Sequence, residues 1–133
     1  SCTPDSLLAR TVDIAITPLP GPEIVAGSTR MKSGTAQKLV LNMLSTVAFV
    51  RMGYVYGNLM VNVQPKNAKL VDRARRIVAE AAGVPAIRAA ELLEASGNNV
   101  RVAILMGKAG LGREEAEHRL ARAHGRISLA LEE

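Results

Sequence analysis

The feature that most constrains the fold of this chain is a loop with prolines and glycines. It is followed directly by a long stretch in which apolar residues recur at regular steps. Pro20 and Pro22 restrict the backbone before it, and Gly21 and Gly27 allow backbone angles that other residues avoid. From Gly34 to residue 52, apolar residues recur at three- and four-residue steps: Ala36, Leu39, Val40, Met43, Leu44, Val47 and Val50. This spacing predicts an amphipathic helix of about five turns, ended by Gly53, whose apolar stripe faces a core.

The loop also collects groups that suit an anion. Ser28, Thr29 and Ser33 carry hydroxyls, and Arg30 and Lys32 carry positive charge. The first amides of a helix have no partner within the helix, and the helix dipole favours negative charge beside them. The segment therefore predicts a phosphate site, and the alternative is a polar loop that caps a helix.

Composition limits the other possibilities. The 133 residues contain 2% aromatic residues and no Trp, so the core is expected to be aliphatic and helical. The net charge of +5 suits an anionic ligand, but no nucleic-acid motif accompanies it, and we expect no nucleic-acid partner. Cys2 is the only cysteine, and the two histidines have no second ligand at metal spacing, so no metal or other cofactor is expected. Without an apolar run of about 20 residues or a leader peptide, we expect a cytoplasmic protein with no membrane partner.

The same loop carries a family resemblance. Its order of residues closely resembles the signature of the N-acetylmuramic acid 6-phosphate etherases, whose domain type is the sugar isomerase (SIS) domain. The matching segments are Gly21–Glu23, Gly27–Lys32, Gly34–Met43, Tyr56–Val61 and Lys69–Ala74. The vertebrate glucokinase regulatory protein is similar over the loop. It provides the alternative reading, a non-catalytic regulatory protein that senses a sugar phosphate.

The resemblance implies an enzyme, a carbon–oxygen lyase. Such etherases remove D-lactate from N-acetylmuramic acid 6-phosphate by elimination and addition of water, which yields N-acetylglucosamine 6-phosphate during peptidoglycan recycling. The glutamates that act as base and acid lie upstream of the part that this chain resembles. No catalytic residue is therefore assigned here, and the chain alone is expected to be inactive.

For substrate binding, the resemblance and the loop chemistry favour five residues: Glu23, Ser28, Thr29, Arg30 and Lys32. Glu23 is expected either to contact the sugar or to pair with Arg30 or Lys32. Because SIS domains pair and place their sites near subunit boundaries, the resemblance also implies a homodimer.

The expected fold is mainly α. Residues 1–62 resemble the C-terminal part of an SIS α/β domain, with one or two short strands and the long helix, and residues 63–133 form a helical C-terminal domain. The β-branched run from Thr11 to Thr17 is the expected strand, and it should be disordered or pair with another copy of the chain. A chain that begins there suggests a shortened or proteolysed protein, or one chain of a split protein.

Residues that cap or end helices mark the boundaries of the helices in this domain. Asn67 is expected to cap a helix that Gly83 ends. The segments 91–104 and 119–131 form a near-repeat, each a helix, a glycine turn at Gly97 or Gly125, and a second helix. The first unit resembles ubiquitin-associated (UBA) domains, although ubiquitin binding does not follow, and packing within the domain or a dimer is the expected role.

Overall fold

The computed structural model describes residues 1–132 and is mainly helical. In chain order the elements are α1 (Leu7–Thr11), α2 (Lys32–Arg51), β1 (Val55–Tyr56), β2 (Leu59–Met60), α3 (Ala68–Ala82), α4 (Ala86–Ala95), α5 (Val100–Ala109), α6 (Arg113–Arg122) and α7 (Ile127–Glu132). The expectation of a mainly α fold is confirmed. Two compact units divide the chain, Ser1–Val47 and a second unit that starts at Ala48.

The second unit contains a continuous aliphatic core. Helix α5 packs against α3, α4, α6 and α7, and its buried residues are Val100, Val102, Ala103, Ile104 and Leu105. Small residues such as Ala74 and Ala89 let the helices approach closely, since both are fully buried. The expectation of an aliphatic, helical core is met in this unit.

Local signals define the ends of these helices as expected. The Asn67 side chain accepts a hydrogen bond from the Leu70 amide at 3.0 Å, which caps α3, and Gly83 ends that helix with a φ of +68°. In the near-repeat, Gly97 and Gly125 have positive φ between α4 and α5 and between α6 and α7. Both helix–turn–helix units are therefore formed.

A short antiparallel hairpin lies between α2 and α3. Val55 pairs with Met60 and Tyr56 with Leu59, across the two-residue loop of Gly57 and Asn58. Gly57 has a φ of +58°, which a two-residue hairpin loop requires at its first position.

The strand expected between Thr11 and Thr17 is absent from residues 1–132. Helix α1 occupies Leu7–Thr11, capped by the Ser6 hydroxyl, and the following residues are irregular. The Ser1 backbone nitrogen donates to the Ile16 carbonyl at 3.1 Å. A strand needs a neighbour to satisfy its backbone groups, and none of the described residues provides one for this run.

Helix α2 forms where expected, but its stripe does not face a core. Within the described residues α2 has no buried residue, and Leu39, Leu44 and Val47 are each more than half exposed. Leu41 and Phe49 lie on the opposite side of the helix, so apolar side chains surround it. The expectation of a buried stripe is therefore wrong, because none of the residues that the structure describes covers the helix.

No helix within residues 1–132 is long and apolar enough to cross a bilayer.

Candidate functional site

The segment from Ser28 to Arg30, here called the Ser28–Arg30 turn, lies immediately before α2. Its backbone is folded by local hydrogen bonds, in which the Ser28 amide donates to Val25 at 3.0 Å and the Met31 amide donates to Ser28 at 3.1 Å. The Gly34 amide donates to the Thr29 carbonyl at 2.8 Å, which links the turn to the first turn of the helix. The sequence-predicted residues Ser28, Thr29, Arg30 and Lys32 therefore enter α2 through one compact turn.

Glu23 caps the helix. Its Oε2 accepts a hydrogen bond from the Lys32 amide at 2.9 Å, and its Oε1 accepts one from the Ser33 amide at 3.0 Å. These are amides at the start of the helix that the sequence analysis left free for an anion. The carboxylate of the chain itself thus takes two of the donors at this end of α2.

The same two contacts perturb the carboxyl group. The Ser33 amide first, and the Lys32 amide second, lower the pKa of Glu23, because backbone N–H groups stabilise the charged form. Glu23 is therefore held as an anion at the positive end of the helix dipole.

Glu23 forms no salt bridge among the described residues, although the nearby charge of Lys32 also contributes to lowering the pKa of Glu23. Lys32 instead turns its ammonium to the Pro22 carbonyl, at 3.0 Å. Three hydrogen bonds thus connect Pro22 and Glu23 with Lys32 and Ser33. No local pattern in the sequence predicts these hydrogen bonds, because they join residues nine and ten positions apart.

Two cavities border the start of α2, and they divide the predicted site residues. One, the Thr29 cavity, has a volume of about 560 Å³ and is lined by Thr29, Ser33 and Gln37 together with residues of the N-terminal segment such as Cys2. The other, the Arg30 cavity, also has a volume of about 560 Å³ and is lined by Arg30 and Lys32 with Pro20, Met31, Thr35, Ala36 and Leu39. The structure therefore brings the two cations together and places the Thr29 hydroxyl at a different opening.

Gln37 is a polar lining residue that was not predicted from the sequence. Thr29, Ser33 and Gln37 follow each other at steps of four residues, and this spacing places side chains on the same helical face. That spacing was the available signal. Ser28 and Glu23 line neither cavity within the described part of the chain.

The arrangement can hold an anionic ligand at one opening and a polar one at the other. The Arg30 cavity offers a guanidinium and an ammonium beside an apolar floor, and a lysine ammonium has two further protons after its bond to Pro22. The Thr29 cavity offers the hydroxyls of Ser1, Thr3, Thr29 and Ser33 and the amide of Gln37, which donate and accept hydrogen bonds. Among residues 1–132, no three His, Cys, Asp or Glu residues are grouped so as to hold a metal ion.

Comparison with known proteins points to one class of relative, enzymes named as sugar-phosphate etherases. The chain is 55% identical over 131 residues to the N-acetylmuramic acid 6-phosphate etherase of Serratia proteamaculans strain 568. It is 54% identical over the same length to the protein of that name from Yersinia pestis strain Pestoides F. The match includes 98% of this chain and 44% of each relative.

These matches confirm the family resemblance seen in the sequence. The chain corresponds to a C-terminal portion of N-acetylmuramic acid 6-phosphate etherases and spans less than half the length of these curated relatives. No family model matches the chain.

Proposed function

We propose that this chain is part of an N-acetylmuramic acid 6-phosphate etherase, a lyase that cleaves the D-lactyl ether of its substrate. The complete protein would release D-lactate and N-acetylglucosamine 6-phosphate, in the cytoplasmic recycling of peptidoglycan sugars. The observation that carries this proposal is 55% identity over 98% of the chain to a relative of that name. The base and the acid of the elimination would come from residues outside this chain, which supplies none of them.

Of the five residues expected to bind substrate, Ser28, Thr29, Arg30 and Lys32 are the proposed contacts, because both carboxylate oxygens of Glu23 already accept from the chain's own Lys32 and Ser33 amides. The Arg30 cavity is the better place for the ionised phosphate, because both cations line it. Two charged hydrogen bonds of about 1.5–3 kcal/mol each give about 3–6 kcal/mol before ordering costs. Millimolar binding corresponds to about 4 kcal/mol. The two cations therefore anchor the phosphate, and further residues of the complete protein must bind the sugar.

The sugar would extend toward the hydroxyls of the Ser28–Arg30 turn. Thr29 and Ser33 can exchange hydrogen bonds with ring hydroxyls or with the N-acetyl group. This arrangement would separate recognition of charge from recognition of the sugar, since the two sets of side chains line different cavities.

The same proposal extends to the fold. We propose that residues 1–62 complete an SIS domain with the part of the protein that precedes this match, and that α2 packs against that part. The support is the ring of exposed apolar residues on α2, since a helix that is apolar on all sides is normally buried. Residues 63–133 would form the UBA-like helical domain, and the complete protein would be a homodimer.

Release of D-lactate by the complete protein tests the proposal. With N-acetylmuramic acid 6-phosphate as substrate, we expect turnover, and Arg30→Ala should lower kcat/KM about ten- to hundredfold, mainly through KM, because it removes one charged hydrogen bond to the phosphate. Arg73→Ala is the matched control, since Arg73 is an exposed arginine on α3, in the second unit.

Two results would contradict the proposal. Binding of the substrate without release of D-lactate would favour the regulatory reading. Equal loss of kcat/KM in the Arg30 and Arg73 variants would show that the Arg30 cavity is not part of the substrate site.

A further inference from the structure

The loop between Glu23 and α2 is held by hydrogen bonds rather than by a core. Ile24 is 82% exposed and Val25 is 59% exposed, so the apolar side chains of the loop have little to pack against. Gly27, with a φ of +79°, adds freedom to the same stretch. Something other than burial must therefore fix the position of the Ser28–Arg30 turn.

The Glu23 carboxylate contributes to this, beside the backbone hydrogen bond from the Gly34 amide to the Thr29 carbonyl. Each of its oxygens accepts one backbone hydrogen bond, from Lys32 and from Ser33, and these two bonds close a loop that contains the whole turn. The Lys32 ammonium reinforces the closure through the Pro22 carbonyl. Hydrogen bonds to a charged acceptor are about twice as strong as neutral ones, so the carboxylate is the strongest part of this closure.

We propose that Glu23 is a positioning residue of the etherase site, which acts by fastening the Ser28–Arg30 turn to the start of α2. This inference rests on the proposed function. Both carboxylate oxygens are directed to the chain's own backbone, and Glu23 lines neither cavity within the described residues. Its effect on the substrate passes through Arg30 and Thr29, whose position relative to α2 the closed loop helps to hold.

The test is Glu23→Gln in the complete protein. The amide keeps the size of the side chain but presents an NH₂ group to one of the two amides, so one of the bonds is lost. We expect kcat/KM for N-acetylmuramic acid 6-phosphate to fall about ten- to hundredfold, as misplacement of binding groups does. Hydrogen exchange of the peptide that contains Lys32 and Ser33 should become faster in the same variant.

A double-mutant cycle with Arg30→Ala separates positioning from direct contact. If Glu23 acts through the turn, Glu23→Gln should cost less than about threefold in a protein that already lacks the Arg30 side chain, because interacting residues are not additive. Fully additive losses, or a Glu23→Gln variant with unchanged exchange and unchanged kcat/KM, would overturn the inference.

Glu115→Gln is the matched control. Glu115 also accepts a hydrogen bond from within its own chain, but from the Arg119 side chain at 2.9 Å on α6, so its loss should leave kcat/KM unchanged. Failure of the proposed function has a different signature, which is no release of D-lactate by the unmodified protein. Substrate affinity measured by calorimetry across the same variants would then decide the Glu23 inference, and absence of binding by the unmodified protein would overturn both.

Discussion

The contact between Gly53 and Gly125 provides the sharpest stability prediction for the second unit. Gly53 follows α2 with a φ of +76°, and a Cβ at this position would lie 2.5 Å from the Gly125 carbonyl oxygen and 2.8 Å from its carbon. Both atoms belong to the backbone and cannot rotate away. We therefore expect Gly53→Ala to destabilise the second unit by two separate effects.

The magnitude follows from these two effects. A left-handed backbone costs a residue with a Cβ about 1–2 kcal/mol, and overpacking of a close contact costs about 1–3 kcal/mol. The sum is about 2–5 kcal/mol. Gly83→Ala is the matched control, because Gly83 has a φ of +68° at the end of α3 but no atom within 4 Å of the added Cβ. Gly83→Ala should therefore cost only the backbone contribution of about 1–2 kcal/mol.

Urea unfolding followed by tyrosine fluorescence measures the difference. The two tyrosines of the chain are Tyr54 and Tyr56, both in the second unit, so the signal reports this unit alone. We expect Gly53→Ala to lose about 1–3 kcal/mol more than Gly83→Ala. Any gain that alanine makes by restricting the unfolded chain is similar in both variants and cancels in the comparison. Equal destabilisation would refute the contact between the two glycines.

Three further predictions address other parts of the chain. Asn99→Ala should cost about 1 kcal/mol in thermal unfolding, because the Asn99 side chain caps α5 by accepting from two amides; an unchanged melting temperature would contradict this. Leu105→Ala should cost about 2–5 kcal/mol in urea unfolding, since Leu105 is fully buried, whereas Ile87→Ala, at a position 79% exposed, should change the stability by less than about 0.5 kcal/mol. The lowered pKa of Glu23 means that its stabilisation of the helix start is complete above the ordinary glutamate pKa of about 4.3 and is lost as the pH falls through the lower folded value. Protection of the Lys32 amide from exchange should therefore decrease on acidification, and constant protection down to about pH 2 would contradict the capping role.

Local chemistry explains what the sequence could predict. The cap at Asn67 and the positive φ of Gly83, Gly97 and Gly125 depend on neighbouring residues only, and the structure confirms them. The hairpin had such a signal too, since Gly57 and Asn58 form a two-residue loop between short β-rich segments. It was missed because strands of two residues leave almost no alternation to detect.

The arrangement of side chains in the candidate site could not be predicted from local sequence features. Hydroxyls and cations before a helix indicated an anion site, but the sequence does not show which side of α2 each side chain faces, and the structure places Thr29 and Arg30 at different cavities. Glu23 reaches its partners across nine and ten positions, where no helical or strand period applies. A carboxylate shortly before a predicted helix start could therefore have been considered as a cap, since such groups are stabilising there.

Helix α2 shows the limit of periodicity most clearly. The same three- and four-residue spacing of apolar residues occurs in α3, where Ala74, Ile77, Val78 and Ala81 are buried, and in α2, which has no buried residue among those described. Seven large apolar side chains of α2 are about half exposed: Leu39, Leu41, Met43, Leu44, Val47, Phe49 and Val50. Full burial of such a side chain contributes about 1.5–3 kcal/mol, so burying the exposed halves would contribute about 5–10 kcal/mol. That amount is comparable to the whole net stability of a typical domain, about 5–15 kcal/mol. A pattern in the sequence therefore specifies that α2 needs a covering surface, whereas the identity of that surface depends on residues distant from it.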